Sequence, residues 1–119
     1  MFLGDDMIDF GKLGGLIPAV VQDAVSGEVL MVGFMNEEAL AITRRTGSAT
    51  FFSRTRNTLW TKGETSWNRL AVRQILTDCD RDTVLLKVER QGSGNVCHTG
   101  ERSCFYSEIA LDTSAGGAQ

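Results

Sequence analysis

Hydrophobic positions in this chain recur in short runs that have the composition of β-strands. Runs rich in β-branched or aromatic residues predict seven strands, at 16–21, 29–35, 49–53, 59–62, 70–77, 84–90 and 104–111. Pro18 limits the first to a sheet edge or a strand start, because proline donates no ladder hydrogen bond. The Ser26-Gly27 turn signal predicts a hairpin between the first two strands. The unbroken apolar run at 29–35 is typical of a strand buried on both faces.

One segment between the second and third strands predicts a helix. Asn36 is a favourable N-cap, and Gly47 is a natural residue just past the last turn. Acidic residues in the first turn and basic residues in the last turn complement the helix dipole: Glu37, Glu38, Arg44 and Arg45. One short helix among these strands predicts a mainly β fold that leans towards α+β, without fixing the strand order.

Length and composition predict one globular domain. The 119 residues are 42% hydrophobic and 23% charged, and we expect a single domain at 1–112 with a disordered tail at 113–119. The longest apolar run, 29–35, is far shorter than the roughly 20 residues of a membrane-spanning helix. Residues 1–6 carry no basic and apolar export signal, so we expect a cytoplasmic protein whose three cysteines stay reduced.

Charge is distributed unevenly. The net charge of −3 disfavours general nucleic-acid binding. Between Arg54 and Arg73, however, five basic residues stand against the single acid Glu64, which suits a small polyanionic ligand. A solvated face of a strand and its turn is the alternative interpretation of the same charges.

The segment Asp78-Cys79-Asp80-Arg81-Asp82 predicts a site for a hard cation. In an extended strand the three carboxylates would share one face and Cys79 the other. Clustered carboxylates suit magnesium, calcium or manganese, but they converge on one ion only if the strand bends or ends there. Repulsion among three acids also calls for a dication or an arginine partner. An exposed acidic turn remains the alternative.

A calcium EF-hand is excluded for the same segment. The loop position that requires glycine is Thr83, and the residues that follow it form an apolar, strand-like run rather than a helix.

The three cysteines and the single histidine predict a second, softer metal site. A catalytic zinc needs three protein ligands and one open position. Because Cys97 and His98 are adjacent, three thiolates from Cys79, Cys97 and Cys104, with His98 nearby for proton transfer, are the more economical set. The alternative is that the thiols are small buried hydrophobes and His98 is a loop histidine.

Eight segments together resemble the phosphoribosyl-AMP cyclohydrolase family. They are LIPAVVQD (16–23), GEVLM (27–31), MNEEAL (35–40), SRTR (53–56), LWTKGETS (59–66), DCDRD (78–82), CHTG (97–100) and SCFY (103–106). Each match alone is weak, but their order and spacing are those of the family. The family usually has glycine after Thr65-Ser66, where this chain has Trp67, so the resemblance does not fix the shape of that loop.

The resemblance implies a mainly β, mixed-sheet pseudobarrel with one short helix, in an intertwined homodimer. It also implies magnesium on Asp78, Asp80 and Asp82. Zinc is implied on Cys79 of one chain together with Cys97 and Cys104 of the other.

The implied reaction is hydrolysis of the adenine ring of 1-(5-phosphoribosyl)-AMP at the N1–C6 bond, the third step of histidine biosynthesis. We interpret His98 as the acid–base group and Arg54, Arg56 and Lys62 as phosphate contacts. Trp60 either stacks on the purine or belongs to the core, and Ser66 is a further substrate contact. One alternative is another zinc-dependent nucleotide deaminase or amidohydrolase, although the H-x-E and P-C-x-x-C signature of the deaminases is absent from this chain. The other alternative is a non-catalytic, zinc-stabilised binding module.

Overall fold

The computed structural model describes residues 7–112, which contain six strands and one α-helix. In chain order these are β1 (Ile17–Asp23), β2 (Val29–Met35), α1 (Glu37–Thr46), β3 (Thr50–Ser53), β4 (Thr58–Thr61), β5 (Leu70–Thr77) and β6 (Val84–Arg90). The predicted disordered tail at 113–119 lies outside the described residues.

The strands form one mixed sheet and one small antiparallel sheet. The larger sheet has the order β2-β1-β6-β5, in which β1 pairs antiparallel with β2 and parallel with β6. The smaller sheet is the β3–β4 hairpin. The predicted mainly β, mixed-sheet fold with one short helix is therefore confirmed, although the sheets formed by residues 7–112 do not close into a barrel.

Pro18 lies at a strand start, which is one of its two predicted positions. Strand β1 is internal to the sheet, but its ladder with β6 begins only at the pair Ala19↔Val84. Pro18 is paired with Phe34 of β2 alone, so its missing N–H costs nothing on the β6 side.

Two sequence predictions are wrong within residues 7–112. Strand β2 is an edge strand rather than one buried on both faces, and Val32 is 45% exposed. Segment 104–111 forms no strand, and Phe105 and Ile109 are exposed. Its one backbone bond to the sheet runs from Cys104 N to Leu30 O at 2.8 Å. Strand propensity reflects packing against neighbours, so an apolar run without a partner strand stays irregular.

Helix α1 begins and ends at the predicted residues. The side chain of Asn36 accepts a hydrogen bond from Ala39 N at 2.8 Å. Gly47 has φ 76°, and its N–H donates to Thr43 O at 2.9 Å, which closes the last turn. The buried hydroxyl of Thr43 in turn accepts from Thr50 N at 3.0 Å and ties the helix to β3. Within residues 7–112 no helix has the length and apolar character that a membrane crossing needs.

The small sheet packs closely on the large one because a β2 residue at the contact has no side chain. Phe51 is fully buried, and its ring centroid lies 4.9 Å from that of Trp60 on the paired strand. A Cβ at Gly33 of β2 would fall 2.7 Å from Cδ1 of Phe51. Glycine at this position therefore lets the aromatic pair approach β2 and fixes where Trp60 lies.

Replacing Gly33 by alanine tests this contact. Glycine to alanine in a strand otherwise favours folding by roughly 0.5–1 kcal/mol. Here the added methyl group meets a buried ring, so we expect a net loss of about 1–3 kcal/mol in the free energy of unfolding, measured by urea denaturation at fixed protein concentration. Val25→Ala, at a position 90% exposed, is the control and should change stability by less than about 0.5 kcal/mol. A Gly33→Ala protein as stable as the wild type would contradict the packing described.

Candidate active site

A cavity of about 640 Å³ opens between the β4–β5 connection and the segment that follows β6. Its size is that of a small-molecule site. Five residues predicted from separate parts of the sequence line it: Arg56, Trp60, Lys62, Ser66 and His98. Cys97 lines it as well. Arg54 does not, because its guanidinium lies over the ring of Phe34, 4.0 Å from the centroid.

The β4–β5 connection forms the first wall as a compact turn. Its backbone closes through bonds from Glu64 N to Thr61 O at 3.2 Å and from Trp67 N to Gly63 O at 2.8 Å. Trp67 has φ 66°, in the left-handed region that favours glycine. Its indole is 72% exposed. The turn therefore keeps the backbone angle that glycine favours, and the large side chain at this position makes that angle strained.

The second wall, segment 91–100, is held by a partly buried ion pair. Arg90 donates through Nε to Asp23 Oδ2 at 2.9 Å and through Nη1 to Gly94 O at 3.0 Å. The other carboxylate oxygen of Asp23 accepts from the N–H groups of Ser26 and Val25, each at 2.9 Å. The Ser26 N–H, followed by those of Val25 and Arg90, holds the pKa of Asp23 below its usual value. The charged pair therefore persists at neutral pH and anchors the loop at Gly94.

Two of the three thiols lie together at this wall. Cys97 is buried, and its Sγ accepts a hydrogen bond from the Thr99 hydroxyl at 3.0 Å. That bond and the Thr99 N–H lower the pKa of Cys97, with smaller contributions from Cys104 and Lys62. Partial burial and the contact with Cys97 raise the pKa of Cys104. Cys97 is consequently the thiol of this pair that is better prepared to be a thiolate.

Cys79 lies elsewhere, exposed in the loop between β5 and β6. Within residues 7–112, the only group of three or more potential metal ligands in mutual reach consists of the three aspartates, with no thiol. One chain thus brings Cys97 and Cys104 together without Cys79.

The aspartate segment is a hairpin loop rather than an extended strand. Strand β5 ends at Thr77, and ligand oxygens of Asp78, Asp80 and Asp82 all lie within 4.8 Å of one another. Asp78 Oδ1 accepts from the N–H groups of Asp82 and Thr83 at 3.1 and 3.2 Å, which folds the loop back on itself. The strand therefore ends just before the three carboxylates, as it must if they are to converge on one ion.

The cationic partner of these acids is Lys12, which no motif in the sequence marks. Its Nζ lies 3.0 Å from Asp82 Oδ2 and 3.3 Å from Asp80 Oδ2. Hydrogen bonds from Lys12 lower the pKa of Asp82, and those same contacts raise the pKa of Lys12. A backbone bond from Asp9 N to Arg81 O, at 2.7 Å, holds the N-terminal segment on the loop. Repulsion among the acids predicted a cation here, but nothing in the pattern marked Lys12.

Comparisons with known proteins identify the family of this chain. The family model for phosphoribosyl-AMP cyclohydrolase matches residues 31–106. A phosphoribosyl-AMP cyclohydrolase of Geotalea uraniireducens is 61% identical over 99 residues, which cover 83% of this chain and 78% of that protein. The phosphoribosyl-AMP cyclohydrolase of Pelobacter propionicus is 59% identical over 83% of this chain and 78% of that protein. The phosphoribosyl-AMP cyclohydrolase of Solibacter usitatus is 58% identical over 86% of this chain and 80% of that protein. The chain belongs to the phosphoribosyl-AMP cyclohydrolase family.

Proposed function

We propose that this chain is the hydrolase that opens the adenine ring of 1-(5-phosphoribosyl)-AMP at the N1–C6 bond, the third step of histidine biosynthesis. The product is the phosphoribosylformimino-AICAR nucleotide. The observation that carries the proposal is that an aromatic ring, two cations and an imidazole from separate segments line one cavity in a chain of this family. Three unpaired thiols favour the reducing cytoplasm as the place of action.

Binding of the nucleotide is assigned to the first wall and β4. Trp60, held against Phe51, offers a flat apolar face to the purine. Arg56 and Lys62 supply positive charge for the phosphates, and Ser66 a hydroxyl. Arg54 stacks on Phe34 instead of lining the cavity, so the phosphate contacts inside it fall to Arg56 and Lys62.

Proton transfer is assigned to His98. Its imidazole is exposed to the cavity next to Cys97, so it can remove a proton from an attacking water and return it to the departing ring nitrogen. Burial of Cys97 beside it holds the backbone of this acid–base group in place.

The thiols fit zinc if two chains contribute. Cys97 and Cys104 supply two ligands in contact with each other, and Cys79 of a second copy supplies the third. When bound, zinc would lower the pKa of a water to about 7 and so provide a nucleophile at neutral pH. The Thr99 hydroxyl helps by keeping Cys97 in its ligand form.

A homodimer is supported by apolar surface that one chain leaves exposed. Val32 lies on the free edge of β2, and Phe105, Ile109 and Leu111 are exposed on the irregular segment after Cys104. Large apolar side chains that a single chain leaves exposed are typical of a protein–protein contact.

The aspartate loop fits magnesium. Metal–oxygen distances of about 2.0–2.1 Å place opposite ligands about 4.2 Å apart, close to the 4.8 Å span of these oxygens. The Lys12 ammonium already occupies a cation position between Asp80 and Asp82. Bound there, magnesium would offer positive charge to phosphate oxygens of the substrate.

Ring opening of 1-(5-phosphoribosyl)-AMP, followed by absorbance, tests the function. The metal-loaded protein should be active, a chelator should abolish activity, and added zinc should restore it. His98→Ala should retain bound zinc but lose roughly 10²–10⁴-fold in kcat, the usual value of a positioned acid–base group. Glu101→Ala, an exposed change close to His98 and outside the cavity lining, is the control. An inactive metal-loaded wild type, or a fully active His98→Ala protein, would refute the proposal.

Mixing variants tests the shared zinc site. Cys79→Ser and Cys97→Ser should each be inactive and bind zinc weakly. After chain exchange, a heterodimer carries both changes in one of its two sites and none in the other, so activity should return. Exchange is verified with differently tagged chains. Verified exchange without recovered activity would place all three thiols in one chain.

Lys12→Gln tests the cation site. A divalent ion must displace the Lys12 ammonium from Asp80 and Asp82. Because an exposed ammonium competes only weakly for these oxygens, removing it should tighten Mn²⁺ binding by about two- to fivefold, measured by electron paramagnetic resonance. Arg73→Gln removes one charge from the exposed pair with Glu89 and should leave affinity unchanged. Unchanged or weaker binding in Lys12→Gln would show that Lys12 does not compete.

A further inference from the structure

Asn68 joins the two walls of the cavity. It belongs to the first wall and lines the cavity itself. Its side-chain oxygen accepts two hydrogen bonds from the second wall, from Ser93 N at 2.9 Å and from Ser93 Oγ at 3.1 Å. No motif in the sequence marks this residue.

These bonds determine which end of the amide is free. A backbone N–H only donates, so the atom that faces Ser93 N must be Oδ1 of Asn68 and not Nδ2. Among the hydrogen bonds formed within residues 7–112, Asn68 uses Oδ1 and its backbone N–H but not Nδ2. The two side-chain donors of Asn68, a residue that lines the cavity, therefore have no partner among residues 7–112.

The amide is also held rigidly. A Cβ at Gly92, which has φ 67°, would collide with Asn68 Oδ1 and with Trp67 O. The backbone beside it is tied by a bond from Gln91 N to Arg69 O at 2.9 Å. A donor that is already fixed loses little conformational entropy when a ligand binds, so its hydrogen bond contributes more to affinity and to orientation.

We propose that Asn68 is a substrate-orienting residue whose Nδ2 donates to an uncharged acceptor of the bound nucleotide, a purine nitrogen or a ribose oxygen. The class of acceptor follows from the division of charge in the cavity. Arg56 and Lys62 provide the cations that phosphates require, whereas Asn68 and its neighbour Asn95 are neutral. The inference rests on the nucleotide-binding function proposed above.

Asn68→Asp separates orientation from structure. The carboxylate keeps the size of the side chain and an oxygen for Ser93, but it replaces both donors with an acceptor. On the metal-loaded enzyme we expect KM for 1-(5-phosphoribosyl)-AMP to rise about 5- to 100-fold, the value of a buried hydrogen bond of 1–3 kcal/mol, with kcat within about threefold. Tm should stay close to that of the wild type because the bonds from Ser93 remain.

Asn36→Asp is the matched control, since it makes the same change at a helix cap, where both residues are equally favourable. It should leave KM and Tm unchanged. Calorimetry with AMP as the probe reads binding without turnover. Weaker AMP binding by Asn68→Asp than by the wild type supports the role of Asn68, even if the wild type fails to open the ring and the proposed reaction is wrong. A wild-type KM and AMP affinity in Asn68→Asp would overturn the inference. So would a KM increase accompanied by a loss of Tm, because Asn68 would then act only by holding the two walls together.

Discussion

The parallel pairing of β1 with β6 determines where the aspartate loop and the loop that carries Cys97 and His98 lie. In a parallel pair, the segments that enter both strands lie at one end and the segments that leave them lie at the other. The ladder runs from Ala19↔Val84 to Asp23↔Val88. At the entering end, the chain before β1 carries Lys12 to the acidic loop before β6. At the leaving end, Asp23 reaches Arg90 and, through it, the loop that carries Cys97 and His98.

The same pairing separates the thiols of one chain. Cys79 precedes β6 and Cys97 follows it, and seven strand residues at about 3.3 Å each span about 20 Å. No local adjustment closes such a gap, because β6 is paired on both sides. A three-thiolate site therefore needs a second copy of the chain. The aspartate loop precedes β6 and the His98 loop follows it, so these two parts of one chain are separated by the length of the same strand.

Local signals in the sequence predicted local structure well. The caps at Asn36 and Gly47 fixed the helix ends, because each makes its bond within a few residues. The predictions of a fully buried β2 and of a strand at 104–111 were wrong because an apolar run does not determine which other part of the structure packs against it. Lys12 and Asn68 were missed for a related reason. Each has its role because of a partner far along the chain, Asp82 for the first and Ser93 for the second. Such long-range contacts produce no periodic pattern in the sequence.

Strain around the cavity is concentrated where rigidity is useful. A non-glycine residue in the left-handed region destabilises the backbone by roughly 1–2 kcal/mol, and Trp67 is such a residue. It lies between Ser66 and Asn68, both of which line the cavity. A glycine there would relieve the strain but would also free the backbone between two proposed substrate contacts. The close approach of Gly92 to Trp67 O leaves this turn little room to relax. The strained turn and the double bond from Ser93 thus act together, and both hold the first wall in one position before substrate arrives.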